Sequence, residues 1–273
     1  MALYVEERGP SDAPSIVFLH GGGGAGWMWR PQVEALSGEY HLLVPDLPGH
    51  GRSAEERPFT ITGAALLVAE LIRTRAHGGH ATVVGLSEGA QITVQLLATA
   101  PEAVDHAIVS SALVRPMPGA WMMTPKVIKW SYKLSAEPFK NNEWWMRTNM
   151  HYAAGVPDAY LDDFRRTFKE ITVESFTDVI VENQRFRLPE GLDRVTAPTL
   201  VVCGRGEYAV MRRSCADVAA AIPGAKAFAV THARKMSVAE DHNWNMTDPD
   251  LFTQMVRAWI EGRELPKSLV GLR

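Results

Sequence analysis

The sequence has few of the features that mark secreted, metal-bound or nucleic-acid-binding proteins. Its 273 residues include two cysteines, Cys203 and Cys215, too few for a disulfide framework or a zinc site with four sulfur ligands. Lys plus Arg number 28 and Asp plus Glu number 31, a net charge of −3 that argues against a general nucleic-acid or anionic-membrane binder but leaves room for a local basic patch. No apolar run approaches the roughly 20 residues that span a bilayer.

Composition and the amino terminus point to a cytoplasmic globular protein. Apolar residues make up 46% and charged residues 22% of the chain, as in an ordinary globular domain. Residues 1–8 lack the basic start and the long apolar stretch of a signal peptide, and we interpret the two cysteines as reduced thiols. A chain of this length can form one large domain, or a core domain with an insertion.

Short apolar runs, each beside glycine or proline, recur along the chain. They do not alternate with polar residues and are rich in β-branched side chains, as a parallel sheet covered on both faces requires. Helical patterns lie between them, for example at 60–75 and at 88–100. This alternation predicts a doubly wound, mostly parallel α/β sheet. The six predicted strands are Ser15–His20, His41–Pro45, Ala81–Gly85, His106–Ser110, Thr199–Gly204 and Ala225–Val230.

The alternation stops between residues 115 and 189. This stretch contains no convincing buried strand, but it holds four of the eight tryptophans, and its charge pattern is typical of amphipathic helices. We therefore predict a core formed by residues 1–114 and 190–273, and a helical cap formed by residues 115–189 over one end of the sheet. The tryptophans either form a small core within the cap or face a cleft, and both are compatible with the sequence. They are Trp121, Trp130, Trp144 and Trp145.

The clearest chemical signal is Gly85-Leu86-Ser87-Glu88-Gly89, which follows a predicted strand and precedes a predicted helix. A serine at such a tight turn projects from the carboxyl edge of the sheet, and the glycines relieve crowding around it. The start of the helix also offers a backbone N–H, that of Glu88, to a developing oxyanion. The motif predicts that Ser87 is a nucleophile, and we expect the Glu88 side chain to be solvated or to support a neighbouring group.

A glycine loop follows the first of the six predicted strands. Its sequence is His20-Gly21-Gly22-Gly23-Gly24. Glycines let the backbone approach a ligand closely, so the loop can supply the second oxyanion donor. Gly22 is the favoured donor, and Gly21 and Gly23 remain alternatives for this role.

The same glycines also fit a dinucleotide-binding fingerprint. Gly21, Gly23 and Gly26 match G-x-G-x-x-G, and Asp46 lies 46 − 26 = 20 residues further on, at the end of the next strand. This alternative explains the glycines but gives no role to Ser87. We therefore favour the oxyanion loop.

A third motif, Asp46-Leu47-Pro48-Gly49-His50-Gly51-Arg52-Ser53, follows the second predicted strand. With HGGGG, DLPGHGRS and GLSEG in this order, the chain resembles the α/β-hydrolase fold family over about residues 3–113 and 197–260. The resemblance implies an α/β-hydrolase core with a helical cap inserted after the sixth core strand. It also implies that His50 is a framework residue, and that a catalytic triad runs in the order serine, acid, histidine.

The resemblance assigns the acid and the base of that triad. Glu207, after TLVVCG, stands where the family usually has Asp, while the family's alternative acid position falls in 111–114, which holds no carboxylate. Two histidines compete for the base. His232 follows the run AKAFAV, whereas His242 precedes Asp248-Pro249 and the last predicted helix, as the family's histidine does. We favour His242 and keep His232 as the alternative.

These residues imply a serine hydrolase that cleaves a carboxylic ester or a lactone through an acyl-enzyme. The partner is a moderately apolar small molecule; no metal, nucleotide, flavin or other cofactor is implied, and no nucleic-acid or membrane partner is expected. The predicted substrate-binding residues are Gly21, Gly23, Trp27, Trp121, Trp144 and Trp145. Two alternatives stay open: a C–C bond hydrolase or other acyl hydrolase of the same fold, and a receptor that binds a small molecule without turnover.

Overall fold

A computed structural model describes residues 3–272 and places all of their strands in one eight-stranded sheet. The strands lie in the order β1-β3-β2-β4-β5-β6-β7-β8. The six central strands are parallel, and β1 and β8 pair antiparallel at the two edges. Their bounds are β1 Val5–Arg8, β2 Ser15–Leu19, β3 His41–Pro45, β4 Ala81–Leu86, β5 Val104–Ser110, β6 Thr199–Gly204, β7 Lys226–Val230 and β8 Leu269–Gly271.

Helices connect the strands and cover both faces of the sheet. None of the helices within residues 3–272 has the length and apolar character needed to cross a bilayer. The α-helices are α1 Arg30–Leu36, α2 Ile61–Arg75, α3 Glu88–Thr99, α4 Pro125–Ser135, α5 Glu143–Thr148, α6 Leu161–Glu170, α7 Val173–Arg185, α8 Ala209–Ala221, α9 Val238–His242, α10 Trp244–Thr247 and α11 Pro249–Ile260.

The central strands are mainly apolar because each of their faces meets a helix layer. In β2, Val17 and Leu19 enter the cluster that α2, α3 and α8 cover, while Ile16 and Phe18 enter the cluster under α1 and α11. Side chains of a strand alternate between faces, so a strand buried on both sides needs no polar positions. The doubly wound, mostly parallel α/β sheet predicted from the apolar runs is therefore confirmed.

The edge strands β1 and β8 were missing from the prediction. Their sequences, VEER and LVG, are short and partly exposed, so they carry no continuous apolar run. Edge strands bury one side at most, and polar residues are common in them. The six predicted strands all occur, with bounds that differ from the prediction by at most two residues at either end.

Helices α4–α7 lie in the long connection between β5 and β6. The insertion therefore follows the fifth strand of this chain. The family resemblance implied a position after the sixth strand, but only one strand, β1, precedes β2. Side chains and backbone of the core hold this segment at several points. Trp27 Nε1 donates to Thr167 Oγ1 at 2.9 Å, and Gln91 Nε2 donates to the carbonyl of Asn183 at 3.0 Å.

Candidate active site

Ser87 occupies the turn between β4 and α3 at the carboxyl edge of the sheet. Its φ of 55° and ψ of −111° are unusual for a residue with a side chain. The Ser87 N–H donates to the carbonyl of Ser110 at 2.8 Å, and the Gly89 N–H donates to the carbonyl of His20 at 3.1 Å. The neighbouring strands thus hold the turn on both sides, and the strained backbone of Ser87 is fixed from outside.

The surrounding backbone leaves no room for a side chain at either glycine of the motif, Gly85 or Gly89. A Cβ added at Gly85 would lie 2.3 Å from the carbonyl oxygen of Gly89. A Cβ added at Gly89 would lie 2.2 Å from the carbonyl oxygen of Leu19. Both are backbone atoms that cannot turn aside, so any larger residue would force β4, α3 or β2 apart.

Glu207 and His242 meet at the same edge of the sheet. His242 Nδ1 lies 2.8 Å from Glu207 Oε2. Two donors hold the other carboxylate oxygen: the hydroxyl of Ser111 at 2.6 Å and the N–H of Gly204 at 2.8 Å. Ser111 follows β5 at the family's alternative acid position, and there it binds the acid that comes from β6.

The bonding of Glu207 sets the state of His242. Since a carboxylate accepts at Nδ1, the proton of the neutral ring resides there and Nε2 is left as a free base. Burial lowers the pKa of His242, but the charge and hydrogen bond of Glu207, together with the charge of Asp241, raise it by more, and the net pKa is raised. The imidazole is therefore a stronger base than an isolated histidine, and it needs a correspondingly higher pH to be neutral.

His232, the alternative base, lies in a different cluster. Its Nε2 is 3.0 Å from Asp241 Oδ1 and its Nδ1 is 2.8 Å from Asp248 Oδ2. Burial is the largest single effect and lowers its pKa, but the hydrogen bonds and charges of the two carboxylates raise the net pKa. His232 thus lies between two carboxylates, and it does not line the cavities that border Ser87. It joins β7 to the segment that carries His242.

The glycine loop lies directly against the Ser87 turn. A Cβ added at Gly21 would be 3.5 Å from Ser87 Cβ, and one added at Gly22 would be 3.1 Å from Glu88 Oε2. His20 fixes the loop, because its Nδ1 donates to the carbonyl of Gly21 at 2.8 Å and its Nε2 accepts from the N–H of Leu47 at 2.9 Å. Burial lowers the pKa of His20 to about 4, which keeps the ring neutral as this bonding requires.

Asp46, the acidic residue of the dinucleotide alternative, has a structural role in this fold. Its Oδ1 accepts from the N–H of Gly26 at 2.7 Å, and its Oδ2 accepts from the N–H of Arg52 at 2.9 Å. The buried carboxylate thus ties the glycine loop to the segment after β3. In the part of the chain that the structure describes, no group of three or more His, Cys, Asp or Glu side chains is placed to hold a metal ion.

The side chain of Glu88 is fully buried, so of the two expected environments the solvated one is wrong. Both carboxyl oxygens lack a hydrogen-bond partner among the described residues, and His50 Nε2 is 3.6 Å from Oε1. Burial, followed by the charge of Glu182, raises the pKa of Glu88 to about 8. His50 donates from Nδ1 to the carbonyl of Pro48, and burial lowers its pKa to about 3. Near neutral pH, a protonated carboxyl group thus faces a neutral imidazole.

Two cavities open beside Ser87, with volumes of about 310 Å³ and about 240 Å³. The smaller is lined by Gly21–Gly24, Trp27, Phe164 and His242, among others. The larger also reaches Gly22 and Gly23, and its apolar wall comes from α6 and α7 and the turn between them. That wall consists of Phe164, Phe168, Ile171, Phe176, Val179 and Ile180. Sequence reasoning missed these residues, although their helical spacing in 164–180 was a usable signal.

Of the six residues proposed to bind substrate, Gly21, Gly23 and Trp27 line the smaller cavity, whereas Trp121, Trp144 and Trp145 line neither cavity. Trp121 and Trp144 are 82% and 75% exposed on the outer surface. Trp145 packs behind the wall, with its ring 5.4 Å from that of Phe168. Both faces of the cap are rich in large side chains, so residue type alone did not separate the outer face from the inner one.

The family model of the alpha/beta hydrolase family matches residues 16–254 of the chain. A curated relative, an AB hydrolase superfamily protein from Gibberella zeae, is 28% identical, with 97% of this chain and 86% of the relative covered. The sheet order, the Ser87 turn and this match agree, and the chain belongs to the alpha/beta hydrolase family.

Solved structures of similar fold include a thermophilic esterase from Thermogutta terrifontis. It has a TM-score of 0.69 and 20% identity, with 95% of this chain and 93% of the other covered. The enol-lactonase from Burkholderia xenovorans LB400 has a TM-score of 0.71 and 22% identity, with 95% and 96% covered. At these identities the likeness shows a shared fold.

Proposed function

We propose that this chain is a serine hydrolase that cleaves the ester-like acyl bond of a moderately apolar small molecule, either a carboxylic ester or a lactone. The observation that carries the proposal is the geometry around Ser87. Ser87, on a strained turn, lines the same cavity as His242. The Nδ1 atom of His242 is hydrogen-bonded to the buried carboxylate of Glu207. Nucleophile, base and orienting acid are the three parts that acyl transfer needs.

The reaction proceeds in two halves. Ser87 Oγ attacks the carbonyl carbon while His242 Nε2 takes the hydroxyl proton, and the N–H groups of Gly22 and Glu88 bind the oxyanion that forms. His242 then gives the proton to the leaving alcohol oxygen as the C–O bond breaks. Water attacks the acyl-enzyme with His242 again as base, and the carboxylic acid leaves as Ser87 regains its proton. In a lactone the alcohol stays attached to the acid.

The cavities support an apolar substrate of modest size. The larger is walled mainly by Phe164, Phe168, Ile171 and Phe176 and contains few polar groups, among them Ser175 and Asn183. A volume of about 310 Å³ is at the lower end of small-molecule sites. Since Ser87 borders both cavities, one can hold the acyl part and the other the leaving group. The names of the similar structures, an esterase and an enol-lactonase, are consistent with this assignment.

Turnover of a substrate panel tests the proposal. The panel contains p-nitrophenyl esters of increasing acyl length, simple lactones, and thioester, amide and vinylogous diketone substrates for the alternative hydrolases. We expect hydrolysis of esters or lactones by the wild type, loss of it in Ser87→Ala, and no change in Ser135→Ala, which removes an exposed serine of α4.

The panel also separates this proposal from its alternatives. Cleavage of only the diketone would identify a C–C bond hydrolase. Folded protein that binds a ligand tightly but turns over none of the panel would contradict the hydrolase assignment and favour the receptor. Activity that persists in Ser87→Ala would overturn the role of Ser87 itself.

A further inference from the structure

The outer face of the cap carries an unusual share of the exposed apolar surface. Between residues 3 and 272, fourteen large hydrophobic side chains are exposed, and nine of these lie between Trp121 and Tyr152. Single exposed apolar residues are ordinary, but a concentration of this kind marks an interaction surface. The exposed apolar residues of α4 and of the turn just before it are called the α4 face. They are Trp121, Met122, Met123, Val127, Trp130 and Leu134.

Helix α4 is apolar on two sides, and only one of them is covered. Ile128 and Tyr132 are buried, and the Tyr132 hydroxyl donates to the carbonyl of Ile171 at 2.8 Å. Val127, Trp130 and Leu134 follow one another at helical spacing on another side of the helix and are 43%, 66% and 55% exposed. A helix with apolar residues on both sides is expected to be buried on both sides. The α4 face therefore lacks a partner among residues 3–272.

Positive charge borders this face. Lys126, Lys129 and Lys133 are exposed, and α4 contains no acidic residue. At 100° per residue, Lys126 and Lys133 fall within about 60° of Trp130 around the helix axis. The whole chain carries a net charge of −3, so this positive stripe is a local feature. The first acid beyond the helix is Glu137, past its carboxyl end.

We propose that the α4 face docks on a lipid bilayer that contains anionic phospholipid. Tryptophan side chains favour the interface between headgroups and hydrocarbon, and lysines beside them reach the anionic headgroups. An amphipathic helix with these two stripes lies in the plane of the interface. Charge complementarity selects the bilayer over a second copy of this chain, because a second copy would bring three more lysines to the same surface.

The position of α4 gives the docking a consequence. The ring of Tyr132 on its inner side lies 5.0 Å from that of Phe176, which lines the larger cavity beside Ser87. The proposed bilayer contact and the apolar wall of the cavity are thus opposite sides of the same pair of helices. Docking would place that wall at the membrane surface, where apolar substrates concentrate.

Vesicle flotation tests the proposal. Purified protein is mixed with vesicles of phosphatidylcholine alone, or of phosphatidylcholine with phosphatidylglycerol, at low and at high salt. We expect binding to the mixed vesicles, and weakening by salt, since the headgroup attraction is screened. The triple variant Lys126→Gln/Lys129→Gln/Lys133→Gln should bind roughly tenfold or more weakly. Trp121→Ser/Trp130→Ser should lose binding to the mixed vesicles.

Control variants change an exposed apolar residue and exposed lysines elsewhere on the surface. Leu66→Ser and Lys235→Gln/Lys267→Gln alter exposed residues outside the cap and should bind like the wild type. Ser87→Ala should also bind normally, which keeps this test independent of the proposed hydrolase activity. Absence of binding to mixed vesicles at low salt, or binding that the α4 variants leave unchanged, would overturn the proposal. So would a lipid-free dimer, seen by sedimentation, that Trp130→Ser dissociates.

Discussion

The carboxyl edge of the sheet and the helical segment between β5 and β6 differ in how their side chains are held. At the sheet edge, Ser87, Glu207 and His242 are each fixed by backbone hydrogen bonds or by buried polar partners. In the helical segment, apolar side chains face both the cavity and the outer surface, as Phe168 and Trp144 do. The polar residues of the sheet edge are thus held in one arrangement. In the helical segment, we expect that the apolar side chains lining the cavity can be substituted without loss of the helices.

The largest expected effect comes from the acid of the sheet edge. Glu207→Gln keeps the shape but removes the negative charge that holds the proton on His242 Nδ1. We expect kcat/KM for an ester to fall by roughly 10⁴-fold, as loss of the correct tautomer does in other triads. Because the Glu207 carboxylate raises the pKa of His242, the acid limb of the pH profile lies above the ordinary histidine value in the wild type and moves lower in the variant.

Steady-state kinetics across pH measures both effects. Glu240→Gln, which changes an acid of the same helix as His242, serves as the control and should retain the wild-type profile. A Glu207→Gln variant with nearly full activity would mean that His242 does not depend on Glu207. The sheet edge would then tolerate substitution as the helical segment is expected to.

The second prediction concerns the tightness of the Ser87 turn. Gly89→Ala places a methyl group against the carbonyl of Leu19, at 2.2 Å before any movement. We expect the free energy of unfolding to fall by about 3 kcal/mol, at the upper range for overpacking. Gly38→Ala is the control, because a Cβ there meets nothing within 4 Å, and it should leave stability within about 0.5 kcal/mol.

Urea denaturation measures both glycine variants. If Gly89→Ala were as stable as Gly38→Ala, the backbone around Ser87 would have room to move. The strain attributed to the nucleophile's position would then be unsupported.

The third prediction uses the buried carboxyl group of Glu88. Its pKa is near 8 in the folded chain and near its ordinary value when unfolded, so the folded state alone keeps the proton between these values. The contribution of Glu88 to stability therefore falls as pH rises from about 4.5 to about 8 and then levels off. Glu88→Gln cannot ionise, and its stability relative to the wild type should rise over that window by a few kcal/mol.

Thermal or urea unfolding at several pH values gives this comparison. Glu70→Gln changes an exposed carboxyl group of α2 and should follow the wild type throughout. Parallel stability curves for Glu88→Gln and wild type would show that the carboxyl group is not buried as a neutral acid.

The smallest expected effect lies in the cap. Phe168 lines the larger cavity, whereas Trp144 is 75% exposed. Phe168→Ala should change kcat/KM for longer acyl chains by roughly tenfold and shift the preferred acyl length, since apolar pocket contacts discriminate at about this level. Trp144→Ala should leave the acyl preference unchanged.

Kinetics on an acyl-length series measures this pair. Equal effects of the two substitutions would show that the cap rearranges around substrate. In that event the division between an inner and an outer face would fail.

The sequence was informative where steric and bonding demands are specific. The apolar runs predicted the six central strands because only strands covered on both faces need such runs. The glycines around Ser87 and the order of motifs pointed to residues that the fold brings to one edge. The edge strands β1 and β8 could not be found in this way, since four and three residues are too few to show either a continuous apolar run or a clear alternation.

The residues that line the substrate cleft were harder to predict than the residues at the sheet edge. Trp121 and Trp144 were expected in the cleft on residue type alone, but large apolar side chains occupy both faces of the cap. The spacing of Phe164, Phe168 and Ile171 carries the missing information, because residues at such intervals share one side of a helix. The burial of Glu88 depends on contacts with His50 and the glycine loop that come from distant parts of the chain, and no local pattern encodes them.

The most direct test of the central claim is covalent labelling of the nucleophile. The protein is treated with a fluorophosphonate probe, and adducts are counted by intact mass and located by peptide mapping. We predict one adduct on Ser87 in the wild type and in folded His232→Ala, and none in His242→Ala or Ser87→Ala. An adduct that survives His242→Ala and disappears in folded His232→Ala would contradict the assignment of the base, and a wild-type adduct on another serine would contradict the assignment of the nucleophile.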